Sequence, residues 1–350
     1  MIQTEFLIIG QGISGTWLSY WLEKAGKDFL IIDDADPSSS SRVAAGIINP
    51  VTGRRYATTW MSDTLLPFVE QAYGQMAQEF SLQTISKKYI LDFFPSTQMR
   101  LAFMERQEET DHLEILENEG EYRTHLNFDL GLGRIQPVYT VHLQEVLKHW
   151  RKKLGEKISG ESFNADLVRF EGEKIFYKEI ETGNLVLCDG VNGMHHQWFK
   201  DLPFAPNKGE ALIVEIPDLP TEAIYKKGMM IVPLPQTGLF WVGASYQWEY
   251  QDPNPSQEFR ERTEAFLRSF LKLPFSIVDH LSSIRPASLE RRPFVGMHPK
   301  FPRLGILNGM GTKGCSLAPY FAKQLSDHLI HGTSIEPLAD IKRFTRILSK

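Results

Sequence analysis

The sequence predicts an α/β protein in which a Rossmann-like, parallel-sheet domain is interleaved with an α+β domain built on an antiparallel sheet. Three observations lead there. A strand, a glycine loop, a helix and a second strand ending in acids follow one another over residues 5–34. Strand-like runs succeed each other without intervening helices between residues 206 and 284. A second glycine loop, "NGMGTKGCSLAP", opens a helix about 300 residues after the first.

Residues 5–9, "EFLII", are a short apolar strand. Gly10, Gly12 and Gly15 then form G-x-G-x-x-G, and residues 13–25 have helical periodicity through Ile13, Trp17, Leu18, Trp21 and Leu22 before Gly26 stops them. The strand "FLII" at 29–32 ends in Asp33-Asp34. This is the unit that binds a dinucleotide: the glycines permit the tight turn, the approach of a pyrophosphate and close helix–sheet packing. Gly10, Gly12, Ile13, Ser14 and Gly15 are therefore cofactor-binding candidates. The acid at the strand end accepts from ribose hydroxyls; Asp33, 23 residues after Gly10, is preferred, and Asp34 is the alternative. The motif alone does not separate NAD from FAD.

The serine run Ser38–Ser41 reads by composition as a linker, but it leads into Ala44-Ala45-Gly46, small residues that let backbone pass close to a flat ligand. Ser41 and Arg42 are placed to reach phosphate oxygens, and Asn49 follows as a substrate-side candidate. Residues 133–155 read as a turn and an amphipathic helix with Val141, Val146, Leu147 and Trp150 inward. "NLVLCDGVNG" is an apolar strand ending in Asp189-Gly190, with Gly190 a further cofactor candidate and Cys188 a buried apolar residue. Strands at 210–216, 228–235 and 238–248 and a helix around 255–273 make up the α+β part. Tyr246 and Trp248 are pocket-lining candidates, although aromatics on strands are commonly core.

The chain has 350 residues, 42% hydrophobic and 23% charged, enough for two domains. A net charge of −5 gives no electrostatic footprint for nucleic acid. Two cysteines, Cys188 and Cys315, imply no disulfide framework. The first apolar run is far short of a membrane span, and no basic leader precedes it, so a cytoplasmic protein without a membrane partner is expected. His195 and His196 lack metal-ligand spacing with cysteines or acids; they read as structural, and no metal is expected.

The loop "SRVAAGIINP" resembles that of the D-amino-acid oxidase and glycine oxidase family of flavoenzymes, where it runs beside the isoalloxazine ring. Residues 282–329 are similar to the family's closing signature: Arg285-Pro286, Glu290, Pro293, Gly296, the strand "LGILNG" and the loop "GMGTKGCSLAP". The loop is closest to that of the oxidoreductase domain in the bifunctional enzyme making 5-methylaminomethyl-2-thiouridine in tRNA. The resemblance implies a glutathione-reductase-type FAD-binding domain at 1–80, 134–205 and 285–350, with a substrate domain at 81–133 and 206–284. It implies two glycine loops serving two ends of one extended FAD, with Gly309, Gly311, Thr312, Lys313 and Gly314 at the flavin edge that becomes negative on reduction. It implies oxidation of a C–N bond in a small amine or amino acid, with hydride transfer to flavin N5, imine hydrolysis and reoxidation by O2 or another acceptor. Arg285 matches the family's carboxylate-binding position, against the alternative of a structural ion pair; Arg54 and Arg55 are weaker candidates. Lys313 is either a cation beside the reduced ring or a surface lysine. Sarcosine oxidases of the family bind flavin covalently through a cysteine ahead of this signature; "RPASLERRP" has none, so non-covalent FAD is expected. A tRNA wobble-uridine oxidase and a non-catalytic flavoprotein are the competing readings; the acidic charge speaks against the first.

Overall fold

The computed structural model describes residues 1–349. The chain forms two compact units: residues 1–44, 143–207 and 284–350 make the first, and residues 45–142 and 208–283 the second.

The first unit is built on an eight-stranded sheet. Its path runs Val168–Glu171, Lys174–Tyr177, Ile180–Leu187, Ile2–Ile9, Phe29–Ile32, Ile158–Ser159. Leu304–Asn308 joins in parallel beside the last residues of Ile180–Leu187, pairing Leu185 with Leu304, and Phe294–Met297 adds antiparallel to it. The strands Ile2–Ile9, Phe29–Ile32, Ile180–Leu187 and Leu304–Asn308 are mutually parallel. Their carboxyl ends therefore lie on one edge, where Gly10, Asp33, Asp189 and Gly309 follow them. Parallel strands covered on both faces need continuous apolar runs rather than alternation, and Leu7, Ile8, Leu185, Val186, Leu187, Ile306 and Leu307 are all completely buried. The helix Ile13–Lys24 covers the sheet with Trp17, Leu18, Tyr20 and Leu22, and the Trp150 indole of helix Leu143–Leu154 donates to Ser19 Oγ at 2.8 Å.

The second unit is built on a nine-stranded sheet. The order is Ser276–Arg285, Asn207–Glu215, Leu239–Gly243, Met229–Pro233, Ala223–Lys227, Ile85–Phe93, Leu132–Val141, Ile47–Ile48, with Leu113–Leu116 also pairing Leu132–Val141. Alternate residues go to opposite faces: Phe93, Leu212 and Val214 pack with Phe128, Leu267 and Phe270, while Ile90, Ala211 and Trp241 pack with Phe94, Phe103 and Ile135. Six of its strand pairs run antiparallel as expected, whereas Ala223–Lys227 and Ile85–Phe93 run parallel. Those two strands come from separate passages of the chain, so no hairpin dictates their direction.

Two expectations need correction. Residues 45–80 and 134–142 belong to the second unit. Ile47–Ile48 pairs with Leu132–Val141, which pairs in turn with Ile85–Phe93 and carries these segments with it. The stretch 133–141 is accordingly a strand rather than a turn, and Val141 faces the core from that strand, not from the helix. Among the described residues no helix is long and apolar enough to cross a membrane, and no cluster of His, Cys, Asp or Glu is placed to hold a metal ion.

The second unit buries a charged cluster. Glu210, 1% exposed, accepts from the Ser256 N–H and Oγ at 2.6 and 2.8 Å, fixing the start of helix Gln257–Phe270. His280 Nε2 lies 3.0 Å from its Oε2, and the imidazole stacks on Phe259. Burial holds the His280 pKa below its ordinary value, opposed by Glu210 and aided by Arg260 and Lys208. The unfolded chain therefore protonates His280 at a higher pH than the folded one. The stability linked to this group is complete above the unfolded value of about 6.5 and is lost as pH falls through the lower folded value. Thermal midpoints taken between pH of about 7.5 and 5 should fall more steeply for the native protein than for His280→Gln; equal slopes would remove the imidazole as the cause.

Candidate functional site

The three glycines of the first loop meet three different neighbours. Gly10 has φ +94°, and a Cβ there would stand 2.7 Å from the Cys188 carbonyl oxygen and 2.9 Å from Asp189 Cα, so the loop rests on the end of the adjacent strand. A Cβ on Gly15 would stand 1.8 Å from the Gly10 oxygen, which fixes how closely the helix packs onto the strand it follows. Gly12 is different: its Cβ would touch only the Ser41 side chain, at 3.0 Å from Oγ. It is the one glycine of the three that backs onto no backbone, which is the opening a pyrophosphate requires. The helix Ile13–Lys24 has no acid in its first turn, and Ser41 Oγ accepts from the Ile13 N–H at 2.9 Å. Its N-terminus thus offers donors and a positive dipole end to an anion.

Asp33 is the acid turned into the loop. Its Oδ2 accepts from the Gln11 N–H at 2.7 Å, and its Oδ1 accepts from the Ala35 N–H at 2.9 Å. Arg151 donates to Oδ1 at 2.7 Å and to the Asp33 carbonyl at 3.0 Å. Asp34 instead is exposed and accepts from Ser162 Oγ at 2.8 Å. Arg42 points back toward Asp33 Oδ1, 3.4 Å away, and donates to Ser39 Oγ at 2.9 Å. In this arrangement Arg42 serves the acid, while Ser41 is the member of the pair at the helix N-terminus.

The second loop lies against the first. Strand Leu304–Asn308 leads into Gly309, and the Gly311 N–H donates to the Pro286 carbonyl at 3.1 Å. Helix Gly314–His331 then starts beside the first helix: a Cβ on Gly314 would stand 3.2 Å from Ile13 Cγ2, and the Trp21 indole donates to the Pro319 carbonyl at 2.9 Å. Two helix N-termini, about 300 residues apart in sequence, are neighbours in space. Neither carries an acid in its first turn. Asn308 Nδ2 donates to the Gly190 carbonyl at 2.8 Å, and Asp189 Oδ2 lies 2.6 Å from His196 Nε2.

Arg285 and Lys313 flank this second loop. Arg285 is half-buried, and its Nη1 donates to Asn207 Oδ1 at 2.8 Å. Lys313 caps the last helix; burial pushes its amine below the ordinary value, and Arg292 and Arg291 push the same way. Glu290 of the same segment pairs with Arg343 at 3.2 Å. Thr312 is exposed.

A family model described as FAD dependent oxidoreductase matches residues 5–328. The chain belongs to this family, that of D-amino-acid oxidase. It is 25% identical to glycine oxidase of Bacillus subtilis, over 93% of each chain. It is 23% identical to D-proline dehydrogenase of Pyrobaculum islandicum, over 97% of this chain and 99% of the relative. Among solved structures, glycine oxidase from Geobacillus kaustophilus superposes with a TM-score of 0.77 at 18% identity, covering 99% and 98% of the two chains. Iminodiacetate oxidase from a Chelativorans species also reaches 0.77, at 17% identity over 97% and 98%. FAD is the cofactor, and the protein is an FAD-dependent amine or amino-acid oxidoreductase.

The remaining candidates lie in the second unit. Gly46 owes its lack of a side chain to a neighbouring strand, since a Cβ would stand 2.1 Å from the Val141 oxygen. Ala44, extended after the short helix Ser40–Val43, is the last residue of that passage of the first unit; Ala45 opens the second, and Asn49 donates to the Val51 carbonyl at 2.8 Å. Tyr246 and Trp248 are 59% and 60% exposed, so neither is core; Arg54 and Arg55 are exposed too. Sequence reasoning missed Gln11, Arg151 and Asn207. Gln11 sits inside the motif and is completely buried, but Arg151 and Asn207 carry no local signal.

The glycine contacts separate folding from cofactor binding. Gly15→Ala should collapse the thermal midpoint or prevent soluble expression, because the new methyl overlaps backbone. Gly12→Ala, whose methyl meets only the Ser41 side chain, should cost far less thermal stability than Gly15→Ala, yet the purified variant should carry less of the flavin's visible absorbance than the parent. Melting curves and the flavin-to-protein absorbance ratio check both.

Proposed function

We propose that the protein oxidises the C–N bond of a small amine or amino acid bearing a carboxylate, of the glycine, sarcosine or D-amino-acid type. The observation that carries this is the half-buried Arg285 fork beside the second glycine loop, held there by the Ala287–Met310 bridge. A guanidinium matches a carboxylate bidentately, which makes it the natural anchor for such a substrate. The names of the relatives, glycine oxidase, D-proline dehydrogenase and iminodiacetate oxidase, describe proteins acting on amines that carry carboxylates, and support the same class.

In this reading Gly10, Gly12, Ile13, Ser14, Gly15 and Ser41 hold the pyrophosphate, and Asp33 takes the ribose. Gly309, Gly311, Thr312, Lys313 and Gly314 face the flavin end. FAD, when bound, would supply the two-electron oxidant for the C–N bond, and O2 or another acceptor would take up those electrons. Arg285 fixes the carboxylate and so orients that carbon. Lys313 and the N-terminus of helix Gly314–His331 would offer positive charge to a ring that becomes negative on reduction. The imine product hydrolyses in water. FAD is held without a covalent link: the segment before the second loop has no cysteine, and the buried Cys315 thiol, pushed up to about 12, stays protonated.

The test is the visible spectrum of the holoprotein during anaerobic addition of glycine, sarcosine, proline and D-amino acids. Bleaching by one of them, with hydrogen peroxide or a reduced acceptor on readmission of oxidant, is expected. Flavin that stays oxidised with all of them but bleaches with tRNA bearing carboxymethylaminomethyl-uridine would replace this reading. Arg285→Met should raise KM for the active amine by about 100-fold or more, the cost of removing one partner of a desolvated charge pair. Lys313→Met should shift the flavin midpoint potential to more negative values, measured by dye-coupled reduction; an unchanged potential would return Lys313 to the surface.

A further inference from the structure

We propose that Asn207 is the positioning residue for Arg285, fixing the plane in which its guanidinium meets a substrate carboxylate. The proposal rests on Arg285 as the carboxylate anchor and adds the residue that aims it.

Asn207 is 2% exposed, and its Oδ1 accepts from Arg285 Nη1 at 2.8 Å across 78 residues of sequence. Asn207 opens strand Asn207–Glu215 and Arg285 closes strand Ser276–Arg285, which are neighbours in the sheet order. The chain is tied on either side of the pair as well. The Ala205 N–H donates to the Ala287 carbonyl at 2.7 Å, the Ala287 N–H to the Arg285 carbonyl at 2.9 Å, and Phe204 bridges Ser288. Both partners therefore stand on fixed backbone, which sets the direction of the bond between them.

The chemistry of the partner matters as much as its place. A guanidinium is planar, with all its N–H groups in one plane. One bond from Nη1 to a fixed acceptor therefore restricts rotation of the whole fork and prepares its other donors for a second planar group. An amide oxygen does this without cancelling the positive charge. A carboxylate in the same position would hold the arginine equally well but would compete with the substrate for its charge. A hydrophobic residue there would leave the charge intact and remove this restraint on the fork. Asn is the side chain that satisfies both demands, whereas a purely structural pair at this site would be served by Asp.

The experiment uses the FAD-loaded protein with benzoate and its neutral counterpart benzamide, each titrated against the flavin absorbance. Asn207→Leu should raise the benzoate Kd by about tenfold and Asn207→Asp, which is isosteric, by about 100-fold, the range expected for a charge-assisted hydrogen bond and for an added like charge. Benzamide affinity, FAD content and melting of Asn207→Asp should stay within about twofold of the parent protein. With the active amine, the loss should fall on KM while kcat holds within about threefold. Benzoate binding by Asn207→Asp at parental strength, in a protein where Arg285→Met has lost it, would overturn the proposal. So would equal loss of benzoate and benzamide, which marks a collapsed site. Benzoate binding that survives Arg285→Met removes Arg285 as the anchor and Asn207 with it, while bleaching by an amine still stands as the separate test of the oxidoreductase reading.

Discussion

Gly15 of the first helix lies so close to the Gly10 carbonyl, and Gly10 so close to the backbone at 188–189, that neither tolerates a side chain. This stack of three backbones, strand end against loop against helix start, sets the depth at which the first helix seats on the sheet. Ile13, one turn-start away, is then carried to the position where it meets Gly314. The second loop consequently inherits its place from the first. The Trp21–Pro319 bond, part-buried, ties the two helices together beyond their N-termini. A long, extended cofactor with an anionic middle and a ring that turns anionic on reduction suits two fixed positive ends on one edge.

The edge itself collects its residues from four separate chain passages, because parallel strands put all their carboxyl ends on one side. That geometry concentrates charge, and each charge is restrained. Asp33 receives two backbone N–H groups and the Arg151 fork, so its carboxylate is an oriented acceptor rather than a mobile one. The second unit treats its charges in the same manner: Asp92, completely buried, lies 2.6 Å from Lys226, and burial still raises its pKa against that attraction. Lone buried charges would cost several kcal/mol each (about). Pairing them makes these clusters rigid, and rigidity at a cofactor edge is orientation.

What the sequence made legible follows from range. Periodicity, glycine spacing and the acid after the second strand are local signals, and they located both loops, the first and last helices and the acid. The error over residues 45–80 arises where local signals fail. Strands Ile47–Ile48, Val51–Thr52 and Ala57–Thr58 are two residues long, too short for any alternation; the last two pair only with each other, and the first is placed by pairing with Leu132–Val141 far downstream. That strand was itself masked as a turn by Gly133 and Pro137. Gly46 shows the complementary problem: a glycine before a short strand reads the same whether it makes room for a ring or for Val141. Arg151 and Asn207 were silent because their partners stand 118 and 78 residues away.

The relatives sharpen what the fold leaves open. Proteins named for glycine, D-proline and iminodiacetate share this scaffold at identities between 17% and 25%. A scaffold common to such different amines does not choose among them. The glycine loops answer to the cofactor, and that demand is the same throughout the family. In the proposed reading, choice rests on side chains outside those loops, and position 207 is a candidate of that kind: it opens a strand and bonds Arg285. If Arg285 is the carboxylate anchor proposed above, a change at position 207 would alter how a carboxylate is met, and substrate preference would be tuned at the residues that aim the arginine rather than at the arginine itself.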